Sequence, residues 1–529
     1  MRKPGAPEMK RTANSAPLRG ADFLAGVLAE PLLAFGGSHE HVDPKTGLAL
    51  YGPYCPPGFA RPTLSSMIIG AVGPAAMVAD AAAWLDACRG IITNSGAEPF
   101  LYPHFPGCRQ DRLPFYCDLL FRDQWCETIR DADLKRALAR PIFEERLMAV
   151  IGLYMAGVEI LKGREPQPDV VLLCLPQDVV DLCAVAPAGD RHVTIRRRLA
   201  RTAAKASRQL EFVFMEAEAE DEGEPTHRNL RRGLKAQAMR HGLPTQIVWP
   251  RTLRLTADDG GGRGTGKSQD AATRAWNVIT ALYHKAGGIP WRLRHVDPGV
   301  CFVGVSFYRE LHGPTTRLRT SMAQTFTASG DGYVLRGATF DWDEREHGNS
   351  PHLDFAASQS LVRDVLEHYK RQSRGSLPAR LVVHKRSRFW ESELEGFQSG
   401  AAQVPQVDLV ALGERGIRFF RPGDYPPLRG TYVKFTDQNF LLYTTGFVPF
   451  LRTYPGARIP QPAEVLEHFG DSPWDRVLSE LLSLTKLNWN SAGFAARYPV
   501  TLAFSARVGE ILAEIPEHIP FREEYRFYM

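Results

Sequence analysis

An α/β fold is predicted for this chain by three observations. Its apolar runs are strand-length, as in Asp169 to Pro176 (DVVLLCLP), and they alternate with helical segments such as the alanine-rich Ala75 to Cys88. From about Val296 the order changes to three consecutive strands and then alternating helices and strands. The 529 residues are 44 % hydrophobic and 23 % charged, enough for several compact units with ample cores, which excludes wholesale disorder. A formal charge of +5 is too small to establish a polyanionic partner by itself. No apolar run reaches the ~18 to 20 residues of a membrane span. Met1 to Gly20 lacks the apolar core of a secretion signal. A soluble, cytoplasmic chain with no membrane partner is expected. The eight cysteines contain no Cys-x-x-Cys pair, as in a reduced protein without structural zinc.

Taken in order, Met1 to Gly20 (1–20) reads as a flexible basic leader, and 21–160 as an N-terminal α/β region packed on the two later units. Ser66 to Gly73 (SMIIGAVG) is a strand and turn. Its Gly70-x-x-Gly73 hints at a dinucleotide-binding turn, but the full Gly-x-Gly-x-x-Gly is absent, so a tight βα turn is the reading. The next unit, 161–295, opens with the strand at Asp169, whose unbroken apolar character suits burial on both faces. A basic helical segment at Arg196 to Arg208 and an acidic run at Glu216 to Glu224 come after it. Then come a helix from His227 to Gly242, a strand at Gln246 to Leu255, a glycine-rich loop at Asp258 to Ser268 and a helix at Ala271 to Ala286, stopped by Gly287-Gly288 and Pro290.

The last unit, 296–529, has strands at Cys301 to Tyr308, Thr316 to Ala328 and Gly332 to Arg336. Helix Ser358 to Gln372, strand Arg380 to Lys385, helix Glu391 to Gly400 and strand Val407 to Gly413 complete it. Three antiparallel strands followed by this alternation is the order of an RNase H-like fold.

Two constellations bear on chemistry. Gly261-Gly262-Arg263-Gly264-Thr265-Gly266-Lys267-Ser268 matches the P-loop pattern, which would wrap nucleotide phosphates with backbone N–H groups. However, Asp258 and Asp259 stand where a triphosphate would be repelled, and no apolar strand ending in Asp follows to hold magnesium. A flexible loop is therefore preferred to an NTPase, which stays as the alternative. The quieter set is Arg231 and Lys235, four apart on one helix face, with Gln246 on the next strand and Asn277 and Lys285 on the following helix. Cations and amides in this number suit a terminal phosphate, since charge-assisted hydrogen bonds are the strong ones.

The blocks Leu234-Lys235, Gly242-Leu243-Pro244-Thr245-Gln246, Trp276-Asn277 and Leu282-Tyr283-His284-Lys285-Ala286-Gly287-Gly288-Ile289-Pro290-Trp291 resemble the MID domain and MID–PIWI junction of prokaryotic Argonautes. Asp43-Pro44-Lys45-Thr46-Gly47-Leu48, Tyr51-Gly52-Pro53, Cys301-Phe302-Val303-Gly304-Val305 and Lys486-Leu487-Asn488-Trp489-Asn490 agree, so the resemblance runs from about Glu30 to the end of the chain. With no recognisable PAZ domain, the chain resembles the short Argonautes: a Rossmann-like MID domain followed by an RNase H-like PIWI domain. The resemblance implies that Lys235, Gln246, Asn277 and Lys285 hold the 5′ phosphate of a small guide RNA. Arg231 stands where the family usually carries Tyr or His. The resemblance also implies a Mg²⁺ ion held with the guide phosphate by the terminal carboxylate of Met529, and no NAD or ATP bound to this chain.

RNase H-type cleavage needs carboxylates on central strands to hold two metal ions. Cys301 to Tyr308 and Arg380 to Arg388 contain no Asp or Glu. Aligned on the family, the catalytic positions become Ser306, Arg386 and Phe504, so slicing is expected to be lost, with an active guide-dependent nuclease as the alternative. Lys385, Arg386, Arg388, Lys486, Asn488 and Asn490 are expected to line the nucleic-acid channel. The resemblance implies a heterodimer with an APAZ-domain effector in which guide pairing with invading single-stranded DNA switches on a sirtuin-like, TIR or nuclease activity. Wording such as Val382-Val383-His384-Lys385 is closer to the sirtuin-associated branch.

Overall fold

The computed structural model describes residues 24–183, 229–255 and 269–529, apart from positions 57, 60, 95–97, 296, 298, 310–316, 326–331, 343–349, 415, 421–425, 437, 457–458 and 516–518. The expected basic leader, the basic and acidic segments between 196 and 224, and the P-loop-like stretch Gly261 to Ser268 lie outside the described residues.

The N-terminal strands β1 (Ala25–Val27), β2 (Leu33–Ala34) and β3 (Glu40–His41) are short. A helix comes next at Pro44–Tyr51, with the Asp43 carboxylate accepting from the Thr46 N–H at 2.7 Å, the N-cap that Asp-Pro at a helix start favours. Strands β4 (Ser66–Gly73), β5 (Asp118–Leu120), β6 (Cys126–Thr128), β7 (Val170–Cys174) and β8 (Thr245–Val248) then form one parallel sheet in the order β5-β4-β7-β8, with β6 also paired to β4. All five residues of β7 are buried. Alternate side chains serve opposite faces: Val170, Leu172 and Cys174 pack with helices Ala75–Ala87 and Ala271–Lys285, while Val171 and Leu173 pack with helices Phe143–Lys162 and Leu230–His241. This is the doubly wound, Rossmann-like arrangement.

The pairing of β4 with β7, Ile69 beside Val170, corrects the expected boundary at 160: strands from both sides of it share a single sheet, so the MID-like unit begins before Ser66. The 20-residue helix Phe143–Lys162 is not among the elements expected from the sequence, although Leu147, Val150, Ile151, Tyr154, Val158 and Leu161 recur at helical spacing. The strand expected to run to Leu255 ends at Val248, because Pro250 starts a single turn of helix, Pro250–Leu253. Cys108 and Cys117 are buried free thiols whose pKa burial raises, and among the described residues no group of three His, Cys, Asp or Glu could hold a metal.

Strand β9 (Arg292–Leu293) joins β2 and β3 in a three-stranded sheet, tying the N-terminal segment to the link between the two large sheets. The second large sheet contains β10 (Val300–Arg309), β11 (Arg317–Thr325), β12 (Gly332–Asp341), β13 (Arg380–Lys385), β14 (Gln406–Glu414), β15 (Thr431–Lys434), β16 (Phe440–Leu442) and β17 (Ala463–Phe469). Its order is β1-β15-β16-β17-β14-β13-β10-β11-β12. β10, β11 and β12 are antiparallel neighbours, whereas β10, β13 and β14 are parallel, the RNase H-like core. Helices Phe355–Gln372 and Glu391–Gly400 cover one face with Leu361, Val365 and Phe397. Helix Val500–Leu512 lies across β10 so closely that a Cβ on Gly304 would sit 2.0 Å from the Thr501 carbonyl oxygen, which reserves that position for glycine.

Candidate nucleic-acid site

Arg231, Lys235, Gln246, Asn277 and Lys285, the residues expected to form a phosphate pocket, stand on three elements. Helix Leu230–His241 starts where the Asn229 side chain accepts from the Arg231 N–H at 2.9 Å and stops at Gly242, whose φ of 71° suits only glycine comfortably. Packing against helix Phe143–Lys162 aims Lys235 inward, where it is 3 % exposed. Helix Ala271–Lys285 is buried along its whole length and ends on Lys285, 1 % exposed. Between the two helices runs β8, carrying Gln246.

Lys235 Nζ donates to the Thr245 carbonyl oxygen, and Lys285 Nζ donates to Gln246 Oε1 at 2.5 Å. Neither lysine pairs with a described carboxylate. Burial, compounded by the charges of Lys285 and Arg231, depresses the Lys235 pKa far below the usual lysine range. Burial and the Arg231 charge likewise bring Lys285 down to about 7. Two buried lysine amines, hydrogen-bonded to each other and to amide and carbonyl oxygens beside a guanidinium, form a site in which an anion would favour the protonated forms that burial disfavours. Asn277, two helical turns before Lys285, accepts from the Ala492 N–H at 3.0 Å and donates to Gln269 Oε1 at 3.3 Å. It thereby couples this helix to the segment after Lys486.

Asn277 also opens onto a cleft of about 950 Å³ between the two large sheets, lined among others by Lys45, Tyr102, Asn488, Tyr498, Phe504 and Arg507. Of the degenerate catalytic positions, Phe504 lines this cleft. Val305 is the register partner of Lys385, so Ser306, within β10, and Arg386, just past the end of parallel strand β13, are neighbours. Phe504 packs edge-on against Tyr525, with ring centroids 3.6 Å apart, and the Arg386 guanidinium lies 4.8 Å from the centre of the Tyr498 ring.

Two expected channel residues are corrected. Lys385 is 1 % exposed, ion-paired to buried Glu393 at 2.5 Å and 3.1 Å from His352 Nδ1. β13 is buried on both faces, so its last lysine turns into the core. Lys486 is also buried. Its ammonium meets the Val42 carbonyl oxygen and Glu30 at 2.8 Å and stands 3.8 Å over the Phe494 ring, tying the N-terminal segment to the second sheet. Of the others, Asn488 lines the cleft, the Asn490 N–H donates to Asn488 Oδ1 at 3.2 Å, and Arg388 is exposed and paired to Glu467 at 2.7 Å. Met529 is buried beside Tyr525, Phe527 and Tyr528 in the main core. This segment reaches the pocket helix, where the Tyr525 ring lies 5.8 Å from that of His284. Sequence reasoning missed the buried cleft lysine Lys45, which donates to the Leu101 carbonyl oxygen at 3.1 Å, and it missed Tyr498. The Asp-Pro-Lys helix start was the available signal for Lys45.

No protein-family model matches the chain. In sequence it is 22 % identical over 284 residues to the Argonaute protein of Aquifex aeolicus and 24 % identical over 280 residues to that of Thermus thermophilus. Each match takes in 53 % of this chain and 35 % or 36 % of the relative. In structure it is similar to Clostridium butyricum Argonaute bound to a guide DNA and a 19-mer target DNA, with a TM-score of 0.61, 15 % identity, and 94 % of this chain matched to 54 % of that one. It is also similar to Drosophila Piwi, with a TM-score of 0.54, 13 % identity, and coverage of 95 % and 56 %. The chain thus spans about half the length of these solved Argonautes. Its α/β fold matches the MID–PIWI portion of those structures.

Proposed function

We propose that the chain is a guide-binding subunit that grips the 5′ phosphate of a small guide RNA, recognises complementary single-stranded DNA in its cleft and does not cut it. The observation that carries this reading is the buried Lys235–Lys285 pair, flanked by Arg231 and served by Gln246, with no described carboxylate to neutralise it. A phosphate dianion supplies the missing charge, and each charge-assisted hydrogen bond adds about 1.5–3 kcal/mol. The likeness to Argonautes favours a nucleic-acid terminus over a free anion, and a cleft of about 950 Å³ adjoins the pocket helix at Asn277.

Loss of cutting is supported by the chemistry of neighbouring strands: a hydroxyl on β10 and a guanidinium just past β13, Ser306 and Arg386, cannot hold a metal pair. The Met529 carboxylate, at a buried chain end whose Tyr525 packs by His284 of the pocket helix, would with the guide phosphate hold a Mg²⁺ ion. Such an ion would neutralise phosphate charge. A chain that binds without cutting must pass its signal on, and the partner we propose is an APAZ-domain effector, sirtuin-like in preference to TIR or nuclease, acting in plasmid or phage defence. Duplex formation would favour its active arrangement only by the difference in binding energy between the two states.

The test compares 5′-phosphorylated and 5′-hydroxyl RNA guides. Losing two or three of these bonds should weaken binding by at least about tenfold. Equal affinities would overturn the pocket, and specific target cleavage with Mg²⁺ or Mn²⁺ would overturn the inactive reading in favour of a nuclease.

A further inference from the structure

The two lysines of the pocket differ in a way that phosphate binding alone leaves unexplained. Their amines are hydrogen-bonded to each other, with Lys285 donating and Lys235 accepting. An ammonium has no lone pair with which to accept, so Lys235 is a free amine in this arrangement and the pair holds a single proton, on Lys285. The surroundings impose the same outcome: Lys235 is 3 % exposed, stands beside the cations of Lys285 and Arg231, and pairs with no described carboxylate. Desolvation and two like charges both disfavour a second proton. An exposed lysine is different, being a free amine in only about one molecule in a thousand near pH 7.5. Arg231 and Gln246, which accepts from Lys285 Nζ at 2.5 Å, are only half-buried and give the pocket a rim that faces solvent.

We propose that Lys235 is a site of covalent acylation by small acyl phosphates, and that this modification switches guide binding off. The proposal rests on the phosphate-binding reading of the pocket and adds its regulation. A free amine beside a second cation is an activated nucleophile, and here the cations also suit the leaving group. The two negative charges of an acyl phosphate match Arg231 and Lys285, so Lys235 stays uncharged when the phosphoryl group is bound. The phosphoryl oxygens take over the Lys285 N–H, which releases the Lys235 lone pair. Lys235 Nζ then attacks the acyl carbon. A C–N bond forms, the bond from that carbon to the bridging oxygen breaks, and its electron pair leaves with the phosphate, which also takes the proton shed by the nitrogen. The products are an N-acyl lysine and inorganic phosphate, and no oxidant, reductant or cofactor is needed. The amide so formed is uncharged, keeps a single N–H and occupies the room of a phosphate, so the acylated pocket no longer holds a 5′ phosphate.

The test treats the full chain with acetyl phosphate near pH 7.5 and maps acetyl-lysine by mass spectrometry. Lys235 should react at least about tenfold faster than the exposed Lys135 and Lys162, with a rate that saturates in acetyl phosphate and falls when inorganic phosphate is added. A simple acetyl thioester, which brings the same acyl group without a phosphate, should show no such selectivity. Arg231→Gln should slow acetylation of Lys235 by about tenfold, the equivalent of losing one charge-assisted bond, and leave Lys135 and Lys162 unchanged. A bound 5′-phosphorylated RNA guide should protect Lys235, and the acetylated chain should bind phosphorylated and unphosphorylated guides alike. Lys235 reacting no faster than the exposed lysines overturns the acylation site, and so does equal selectivity from the thioester. An acetylated chain that keeps its preference for phosphorylated guides overturns the switch. Selective acetylation of a chain that never preferred phosphorylated guides overturns the guide-binding reading instead, so the two failures are distinct. Should Arg231→Gln misfold, the wild-type comparison of acetyl phosphate with the thioester still decides the question.

Discussion

The two halves of the molecule bury cations in opposite ways. In the PIWI-like half, Lys385 meets Glu393, Lys486 meets Glu30, and Arg380 meets both Asp408 and Glu480 at 2.5 Å. Burial alone would raise the Asp408 pKa, but hydrogen bonds from His468, Ser472 and Arg380 hold it well below the carboxylate range. In the MID-like half, Lys235 and Lys285 are equally buried and meet each other and neutral oxygens, with no described carboxylate. A buried charge with a hydrogen-bonded counter-charge is part of the framework. One without is a site held ready for an ion from outside. The contrast separates residues that bind from residues that only hold the fold, though all of them look alike as Lys or Arg in the sequence.

Removing one member of a framework pair should produce the largest effect. Lys385→Met leaves Glu393 buried with His352 and the Leu353 and Trp390 N–H groups but no ammonium, and is expected to cost about 3–5 kcal/mol of folding stability, read from denaturant unfolding. A change below about 1 kcal/mol would erase the distinction between the two halves.

Lys285→Met should do the opposite. It removes a buried amine that burial and the Arg231 charge disfavour in its protonated form, so the free protein should be as stable as the wild type or more so, while the preference for a 5′ phosphate collapses by tenfold or more. The pH dependence sharpens this. The Lys285 pKa is lowered from the ordinary lysine value of 10.5 to about 7 in the folded chain. Between these values the unfolded state binds the extra proton, so this group's contribution to stability rises with pH across that window and is absent below it. Phosphate binding favours the protonated form and should therefore weaken as pH climbs above about 7, with the slope flattened in Lys285→Met. A wild-type affinity flat from about pH 6.5 to 9, measured by titration with a phosphorylated guide, would contradict the assignment. The smallest effect is expected at Arg388→Ala. Its pair with Glu467 is half exposed, and stability should move by less than about 1 kcal/mol.

Much of the fold is legible in the chain. Strands Ser66–Gly73 and Arg380–Lys385 and helix Glu391–Gly400 fall where apolar runs and helical spacing put them. The set Lys235, Gln246 and Lys285, spread over about 50 residues of chain, meets in space. Ser306 and Arg386, about 80 residues apart, become neighbours through the parallel register of β10 and β13. The errors share a cause. Lysine at a strand end usually reaches water, which is why the sequence points Lys385 and Lys486 toward a channel, and nothing local announces both of their carboxylate partners, Glu393 and Glu30. The boundary at 160 failed because strand pairing is not local either: Ile69 and Val170 are about 100 residues apart and adjacent in the sheet.

Periodicity, turn residues and the absence of acidic side chains from β10 and β13 were settled by the order of residues alone, because each depends on near neighbours or on what is simply not there. Which lysines face a ligand and which are locked to a carboxylate was decided only by tertiary packing, since the energy of a buried charge is set by whatever the fold carries to within a few ångströms of it.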